Sequence, residues 1–299
     1  MPVLRAGPLT ATWLPDDGMV GASLTHDGEE LLGQRGGLEA YRAKGSAFGI
    51  PLLAPWANRL SGLRYGEVEI DPTRAKLDGN GLPKDGAMAG RTWTVEHVSE
   101  TELVARFESD PPVLAVFPFP HRLLVTVTLG SEAMTVRTEL TATGVVPVPV
   151  GFGWHPLFTL PGVPREELEV TVPAARETVL DARGIPTGEE RERTFLDGPL
   201  GTRTADAEYP AIDGDFVLRD RRARTSMHDS DSGTRRELRV SFGAPDYPVG
   251  HLWAPEGESF VAWEPMSAPT NSLVTRKGLR HVAPGASFAA SFTVAVSAV

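Results

Sequence analysis

Two titratable side chains stand directly before a proline in two distant, largely apolar segments of the chain. His155 lies within residues 151–158, and Glu264 lies within residues 262–266. Imidazole and carboxylate groups are the side chains that most often act as general acids and bases. If the fold brings these two together, they form an acid–base pair in an apolar setting. Such a pair is suited to moving a proton on and off a neutral polyol.

Each of these two residues also has a structural interpretation. A histidine before a proline is biased toward an extended backbone, where its ring often binds a carbonyl group. Glutamate is rarely buried without a partner, so Glu264 is either held in an ion pair or is a base in a cleft. The local sequence around His155 and Glu264 leaves both interpretations open.

A second group of candidates follows an apolar, proline-rich segment. Asn58 and Arg59 directly follow residues 49–57. They form either a turn with an arginine stem packed on the surface or an amide and a guanidinium directed at sugar hydroxyls. The indoles of Trp56 and Trp154 adjoin the candidate residues, and each either packs in the core or offers a ring face to a sugar.

Other potential motifs are weaker. Asp213 begins an Asp-Gly turn, which is common in connections between strands. The remaining histidines show no metal-ligand spacing; they are His26, His97, His121, His228, His251 and His281. The chain has no cysteine, which excludes disulfides and thiolate nucleophiles. It also lacks a glycine-rich phosphate loop and a Gly-x-Ser-x-Gly motif.

The elements that must position these residues have a period of two. Apolar and polar residues alternate over residues 9–14, 67–70, 92–96, 103–107, 122–129, 134–140, 167–172, 236–242 and 287–294. Strands with one solvated face have this pattern, and glycines and prolines separate them. We therefore predict an all-β fold, a large antiparallel sandwich or barrel, formed by a single domain over residues 1–299. A short helix is expected near residues 38–45, and a long surface excursion over the polar residues 181–210.

The charge and hydropathy of the chain argue against some classes of binding partner. The net charge of −10 argues against binding to nucleic acid or to an anionic membrane surface. No apolar run has the length of a membrane span, and the first residues lack the basic start and apolar centre of a signal peptide. We expect a soluble cytoplasmic protein whose oligomeric state the sequence leaves open.

Taken together, these segments resemble the aldose 1-epimerase (galactose mutarotase) family. The likeness begins near residues 21–24 and continues through residues 51–59, 153–158, 184–189 and 264–271. It implies a β-supersandwich with an open cleft for a small-molecule sugar, and it implies no metal or organic cofactor. The residues that it assigns are His155 as general acid, Glu264 as general base, and Asn58, Arg59 and Asp213 as ligands of the sugar. We add Trp154, beside His155, as a predicted substrate contact.

One position departs from the family pattern. The family carries a second histidine in a His-Gly pair before a tryptophan, and Asp85 takes that place here, followed by Gly86. An ionised carboxylate accepts hydrogen bonds from sugar hydroxyls but donates none. Close to His155, it is expected to raise the pKa of the imidazole and so to favour a protonated acid.

The resemblance implies a mutarotase that interconverts the α and β anomers of a free hexose. Glu264 would take the proton of the anomeric hydroxyl while His155 protonates the ring oxygen. Two alternatives stay open. One is a sugar-phosphate mutarotase with Arg59, Lys84 and Arg91 as the cationic groups. The other is a non-catalytic carbohydrate-binding protein, which the loss of the family histidine at position 85 motivates.

Overall fold

Antiparallel strands make up most of the computed structural model, which describes residues 1–224 and 236–298. The strands are β1 (Val3–Ala6), β2 (Leu9–Leu14), β3 (Val20–His26), β4 (Glu29–Glu30), β5 (Leu52–Leu53), β6 (Arg64–Tyr65), β7 (Val68–Glu69), β8 (Thr94–Val98), β9 (Glu102–Glu108), β10 (His121–Leu129), β11 (Ala133–Ala142), β12 (Val148–Val150), β13 (Gly153–Trp154), β14 (Leu157–Phe158), β15 (Leu168–Thr171), β16 (Arg176–Leu180), β17 (Pro186–Glu192), β18 (Gly198–Pro199), β19 (Ala205–Tyr209), β20 (Phe216–Asp220), β21 (Arg236–Ser241), β22 (Val249–Ala254), β23 (Val261–Met266), β24 (Arg280–Val282) and β25 (Ser287–Ala298).

Helices are short. The α-helices are α1 (Gly37–Lys44), α2 (Pro111–Val116) and α3 (Ser272–Thr275), and short 3₁₀ helices span Pro15–Asp17, Arg165–Glu167 and Arg221–Arg224. Asp110 caps α2 by accepting a hydrogen bond from the backbone N–H of Val113. Within residues 1–224 and 236–298, none of these helices has the length and hydropathy needed to cross a bilayer.

The largest sheet has nine of the described strands, in the order β18-β15-β20-β21-β25-β11-β10-β9-β8. Strand β10 shows why these segments pair. Its inward side chains Leu123, Val125 and Val127 are fully buried, whereas the intervening residues face outward. Burial of each such side chain contributes about 1.5–3 kcal/mol. The alternation therefore sets which face of the sheet forms the core.

A second sheet, of six described strands, packs on the first. Its order is β19-β22-β23-β13-β5, and β14 also pairs with β23. Trp263 stacks on Phe216 at a ring distance of 5.4 Å, and Trp154 lies 6.0 Å from Phe292. These contacts join the two sheets. Because successive side chains of a strand point to opposite faces, the neighbours of both tryptophans face away from this core.

Smaller sheets complete the described structure. Strands β1 to β4 form a sheet in sequence order, and the pairs β12-β24, β16-β17 and β6-β7 form two-stranded sheets. The hydrophobic core contains residues from most of the chain, from Leu4 to Val296. The all-β fold of packed antiparallel sheets that the sequence predicts is thus confirmed.

One prediction about the chain path holds for only part of its segment. Residues 181–210 were expected to form a surface excursion, and β17 is largely exposed, but β19 belongs to the six-stranded sheet. Strand β19 joins the edge of the six-stranded sheet, because its alternating small and acidic residues give it two distinct faces. The predicted helix near residues 38–45 corresponds to α1. His228 lies outside the described residues.

Candidate active site

His155 and Glu264 meet because of the register around β23. This strand pairs with β13 at Gly153–Met266 and with β14 at Leu157–Ala262, which brings His155 opposite Glu264. The distance from His155 Nε2 to Glu264 Oε1 is 3.2 Å. A Cβ atom at Gly153 would lie 2.6 Å from the carbonyl oxygen of Pro265. Glycine at 153 therefore permits the close approach of β13 to β23.

A row of alternating carboxyl and imidazole groups crosses the six-stranded sheet. His251 on β22 pairs with Glu208 on β19 on one side and with Glu264 on β23 on the other. Directly opposed residues of antiparallel strands share a face, so the row is Glu208, His251, Glu264 and His155. All four residues are at most 6% exposed. The face of the sheet that points away from the core thus holds a buried line of titratable groups.

Polar groups beside this row form a closed ring. His251 contacts Asp206 Oδ1 through Nε2 at 2.7 Å and Asn58 Nδ2 through Nδ1 at 3.3 Å. Arg59 donates a hydrogen bond to Asn58 Oδ1 at 3.0 Å and lies 3.7 Å from Asp206 Oδ2. A further hydrogen bond from Arg59 Nε to Asp78, at 2.9 Å, holds the guanidinium in place.

Asn58 and Asp85 lie on two segments that contact each other beside the ring and the row. The backbone N–H of Asp85 donates to the carbonyl of Asn58 at 2.9 Å. The φ angles of Asn58 and Asp85 are 56° and 62°, the left-handed region that non-glycine residues seldom adopt. At Gly86, where φ is +65°, a Cβ atom would lie 2.0 Å from the carbonyl oxygen of Ala54. Strained backbone of this kind is concentrated at functional sites.

Asp85 is held as an anion. Lys76 Nζ donates to Asp85 Oδ2 at 2.7 Å, and Lys84 Nζ lies 4.0 Å from the same oxygen. Burial raises the pKa of Asp85, but the charges of Lys84, Lys76 and His155 and the hydrogen bond from Lys76 outweigh it, so the net pKa is well below its ordinary value. Asp85 Oδ1 and His155 Nδ1 are buried without a hydrogen-bond partner in the described structure. Both atoms are thus available to a ligand.

Burial favours the uncharged forms of His155 and Glu264. Burial lowers the pKa of His155 to about 3, although the charge of Asp85 acts in the opposite direction. Burial also raises the pKa of Glu264 to about 8, opposed by the charge of His251. Asp85 therefore acts on His155 as the sequence suggested, but the expectation of a raised imidazole pKa is wrong because desolvation is the larger effect. Burial of both groups thus favours the state in which the shared proton resides on Glu264.

The pKa values of His251 and Asp206, which belong to the ring, shift for different reasons. Burial lowers the pKa of His251, but its hydrogen bond to Asp206 and the charges of Glu264, Asp206 and Glu208 outweigh burial and raise the net pKa above its ordinary value. Burial raises the pKa of Asp206, but the hydrogen bond and charge of His251, with the charges of Arg59 and Lys84, bring it below its ordinary value. Asp206 is thus an anion with a fixed orientation.

The structure brings together five of the seven residues singled out from the sequence. The small void between these groups, of about 10 Å³, is lined by Asn58, Arg59, Lys84, Asp85, His155, Asp206, His251, Trp253 and Glu264. This volume accommodates about one water molecule. Within the described part of the chain, no three His, Asp or Glu side chains are arranged to share a metal ion.

The other two predicted contacts lie elsewhere. Trp154 is fully buried in the core, where Nε1 donates to Thr138 Oγ1 at 3.0 Å, so it has no ring face for a ligand. Trp56, whose role the sequence left open, is also buried. Asp213 is exposed in the loop beside Pro173 and does not line the void.

Three residues at the void were not recognised from the sequence: Asp206, His251 and Trp253. The ring of Trp253 is 5.5 Å from that of His155, edge to face. Asp206 lies in a polar stretch, and His251 shows no metal spacing, so neither stood out. The available indication was the alternation of Asp206 and Glu208 with small residues, which is typical of a strand.

Two larger cavities share walls with the void. One, of about 210 Å³, includes Asp85 and His155 in its lining together with Lys44, Arg74 and Arg91. The other, of about 620 Å³, includes Asp206. The void itself is too small for a ring the size of a sugar, and His155, unlike Glu264, also lines the larger cavity of about 210 Å³.

This β-supersandwich, with a buried imidazole–carboxyl contact beside a water-sized void, has the architecture of a mutarotase-type protein. The family model for aldose 1-epimerase matches residues 20–295, and the chain belongs to this family. No match was found among curated proteins.

Solved structures share the fold at low identity. A galactose mutarotase-like protein from Clostridium acetobutylicum has a TM-score of 0.83 at 16% identity, covering 99% of this chain and 95% of its own. The GalM/aldose epimerase homologue from C. elegans has a TM-score of 0.75 at 18% identity, covering 100% and 98%. Galactose 1-epimerase from Lactobacillus acidophilus NCFM has a TM-score of 0.73 at 13% identity, covering 98% and 92%. These likenesses establish the fold.

Proposed function

We propose that the protein is an aldose 1-epimerase that interconverts the α and β anomers of a free hexose. The observation that supports this most directly is the buried contact of 3.2 Å between His155 Nε2 and Glu264 Oε1. Asp85, Asp206, Asn58 and Arg59 surround the pair and offer the hydrogen-bond acceptors and donors that sugar hydroxyls need.

The pair has the proton content that the reaction requires. Neutral Glu264 with neutral His155 contains the same number of protons as ionised Glu264 with protonated His155. The two states therefore differ only by movement of one proton along their hydrogen bond. Burial favours the uncharged state, and a bound sugar with polar groups between the two residues favours the charged one.

Ring opening then proceeds by two proton transfers. Glu264 accepts the proton of the anomeric hydroxyl, and His155 donates its proton to the ring oxygen as the C1–O5 bond breaks. The aldehyde rotates about C1–C2, and the ring closes on the other face with the two roles reversed. Each positioned transfer contributes about 10²–10⁴-fold to the rate.

A sugar phosphate is the second candidate substrate. Lys44, Arg74 and Arg91 line the 210 Å³ cavity that shares His155 with the void. Two of these groups already have anionic partners, since Arg74 Nε lies 3.5 Å from Asp71 and Arg91 Nη1 lies 3.3 Å from Asp110. The local charge is therefore largely compensated, which favours the neutral sugar. A non-catalytic sugar-binding role is the third candidate and predicts binding without turnover.

Polarimetry of freshly dissolved α-D-glucose and α-D-galactose at neutral pH tests the proposal. We expect acceleration over the spontaneous rate, and a loss of at least about 100-fold in Glu264→Gln, which preserves the shape of the side chain. Glu139→Gln, a half-buried glutamate of β11 paired with Arg137, is the matched control and should retain activity.

The same assay separates the candidates. Faster turnover of glucose 6-phosphate than of glucose would favour the sugar phosphate, and saturable binding without turnover would favour the binding role. Full activity of Glu264→Gln would exclude Glu264 as the base.

A further inference from the structure

His251 is a buried titratable group to which the proposed reaction assigns no step. It is 2% exposed, lies between Glu208 and Glu264 in the carboxyl–imidazole row and contacts both Asn58 and Asp206. Both of its ring nitrogens are therefore engaged by groups that line the void.

The hydrogen bonds around His251 have a single consistent direction. Arg59 has only donors, so Asn58 must present its carbonyl oxygen to Arg59. The amide N–H of Asn58 then points at His251 Nδ1, which must be an unprotonated acceptor. Nε2 consequently carries the proton and donates it to Asp206 Oδ1. The ring runs from Arg59 through Asn58 and His251 to Asp206, whose second oxygen faces Arg59 again.

Protonation of His251 disrupts this arrangement. A proton on Nδ1 would face the N–H of Asn58, and a reversed Asn58 amide would instead face its N–H toward Arg59. Either way one buried hydrogen bond is lost, at a cost of about 1–3 kcal/mol. Asn58 thus opposes the positive charge on His251.

The neighbouring carboxylates, in contrast, favour the positive charge on His251. The charged and titratable groups that face His251 come from every neighbouring element: Asp206 and Glu208 from β19, Glu264 from β23, Arg59, Lys84 and Asp85 from the adjoining segments, and His155 from the turn between β13 and β14. The acidic members favour a charged imidazole and raise its pKa in net terms. His251 is accordingly held between a hydrogen-bond network that needs it neutral and an acidic surrounding that favours its protonation.

We propose that His251 is a positioning residue that makes sugar binding depend on pH. When neutral, it joins Asn58 to Asp206 and holds both at the wall of the void in the orientation that binds hydroxyls. When protonated, it breaks its bond with Asn58 and releases that side chain. The inference rests on the proposed function, because Asn58 and Asp206 are there the ligands of the sugar.

Glutamine is the informative replacement. Its amide oxygen can accept from Asn58 while its amide nitrogen donates to Asp206, so it reproduces both contacts and does not titrate. Leucine at the same position removes both contacts. His121→Gln is the matched control, since His121 is equally buried but lies on β10 with its Nδ1 against the carbonyl of Phe119.

The test is the KM for glucose between about pH 5.5 and 8, measured by polarimetry. For the wild type and His121→Gln we expect KM to rise as pH falls and His251 gains a proton. For His251→Gln we expect a KM that is independent of pH in this range and close to the wild-type value at high pH. For His251→Leu we expect a KM raised about tenfold or more at every pH, with a smaller change in kcat. The same acid-side rise in His251→Gln as in the wild type would overturn the inference.

A second measurement does not depend on turnover. The ¹⁵N shifts of the His251 ring, assigned by their loss in His251→Gln, should show the neutral Nε2–H tautomer at high pH. An Nδ1–H tautomer there would overturn the inference. If the wild type turned over no sugar, the proposed function would fail. The tautomer of His251 would still decide the direction of the hydrogen bonds from Arg59 through Asn58 and His251 to Asp206.

Discussion

Trp154 and His155 are neighbours in sequence but lie on opposite faces of the six-stranded sheet. The indole packs against Trp13 and Phe292 in the core, and the imidazole faces Glu264. The sheet therefore separates a residue that stabilises the fold from one that faces the candidate site.

This separation predicts different effects for two tryptophan substitutions. Trp154→Phe loses the hydrogen bond to Thr138 and some core volume, so we expect the free energy of unfolding to fall by about 1–3 kcal/mol. Its KM for glucose should stay within about twofold of the wild type. Trp253→Ala removes the ring that borders the void, and we expect KM to rise about three- to tenfold. Chemical denaturation and polarimetry measure the two effects, and a large rise in KM for Trp154→Phe would contradict this assignment.

The ion pair of Asp85 with Lys76 predicts a pH-dependent contribution to stability. The pKa of Asp85 is lowered in the folded state, so the carboxylate stabilises the protein above its unfolded pKa, about 3.9. This contribution is lost as pH falls through the folded pKa. We expect Asp85→Asn to lower Tm by at least about 2 °C at pH 7 and by progressively less below pH 4. An equal difference in Tm at both pH values would show that the effect does not come from the charge.

The pKa values of the catalytic pair predict the basic limb of the pH profile. With the pKa of Glu264 raised to about 8, the pair keeps its single mobile proton up to that pH and loses it above. We expect kcat/KM, which reports the pKa values of the free protein, to fall about tenfold per pH unit above roughly pH 8.5. With the pKa of His155 lowered to about 3, kcat/KM of His251→Gln, which lacks the second imidazole, should show no acid limb in the range of a free imidazole. Initial rates of mutarotation at low sugar concentration, corrected for the spontaneous rate at each pH, measure the profile; a fall in kcat/KM of this variant near pH 6.5 would contradict it.

Asp206 and Asp213 provide a matched pair of substitutions. Both carboxylates are exposed, but Asp206 lines the void and contacts His251, whereas Asp213 lies in a loop and does not line the void. We expect Asp206→Asn to raise KM about tenfold or more, since a charged acceptor for hydroxyls is lost. Asp213→Asn should change KM and kcat by less than about twofold. Equal impairment of the two variants would instead support the role that the family resemblance assigns to Asp213.

The sequence predicts the fold well where alternation is strong. Strands β10, β11 and β25 have regular apolar faces, and they pair with one another in the nine-stranded sheet. Strand β19 escaped recognition because its outward face consists of Asp206 and Glu208, which give the segment the composition of a loop.

The residues of the candidate site also differ in how readily the sequence identifies them. The local sequence identifies five residues of the candidate site, each in or beside a short motif: His155, Glu264, Asn58, Arg59 and Asp85. His251 and Asp206 do not, because their place depends on cross-strand register between segments far apart in sequence. Trp154 was associated with the site through adjacency in sequence, but in an extended chain adjacent residues point apart.

On the function proposed above, the contact between His155 and Glu264 competes with the substrate. A sugar that engages both groups must replace their hydrogen bond at the water-sized void. The net value of that bond, about 1 kcal/mol, is therefore subtracted from the affinity and recovered when product leaves.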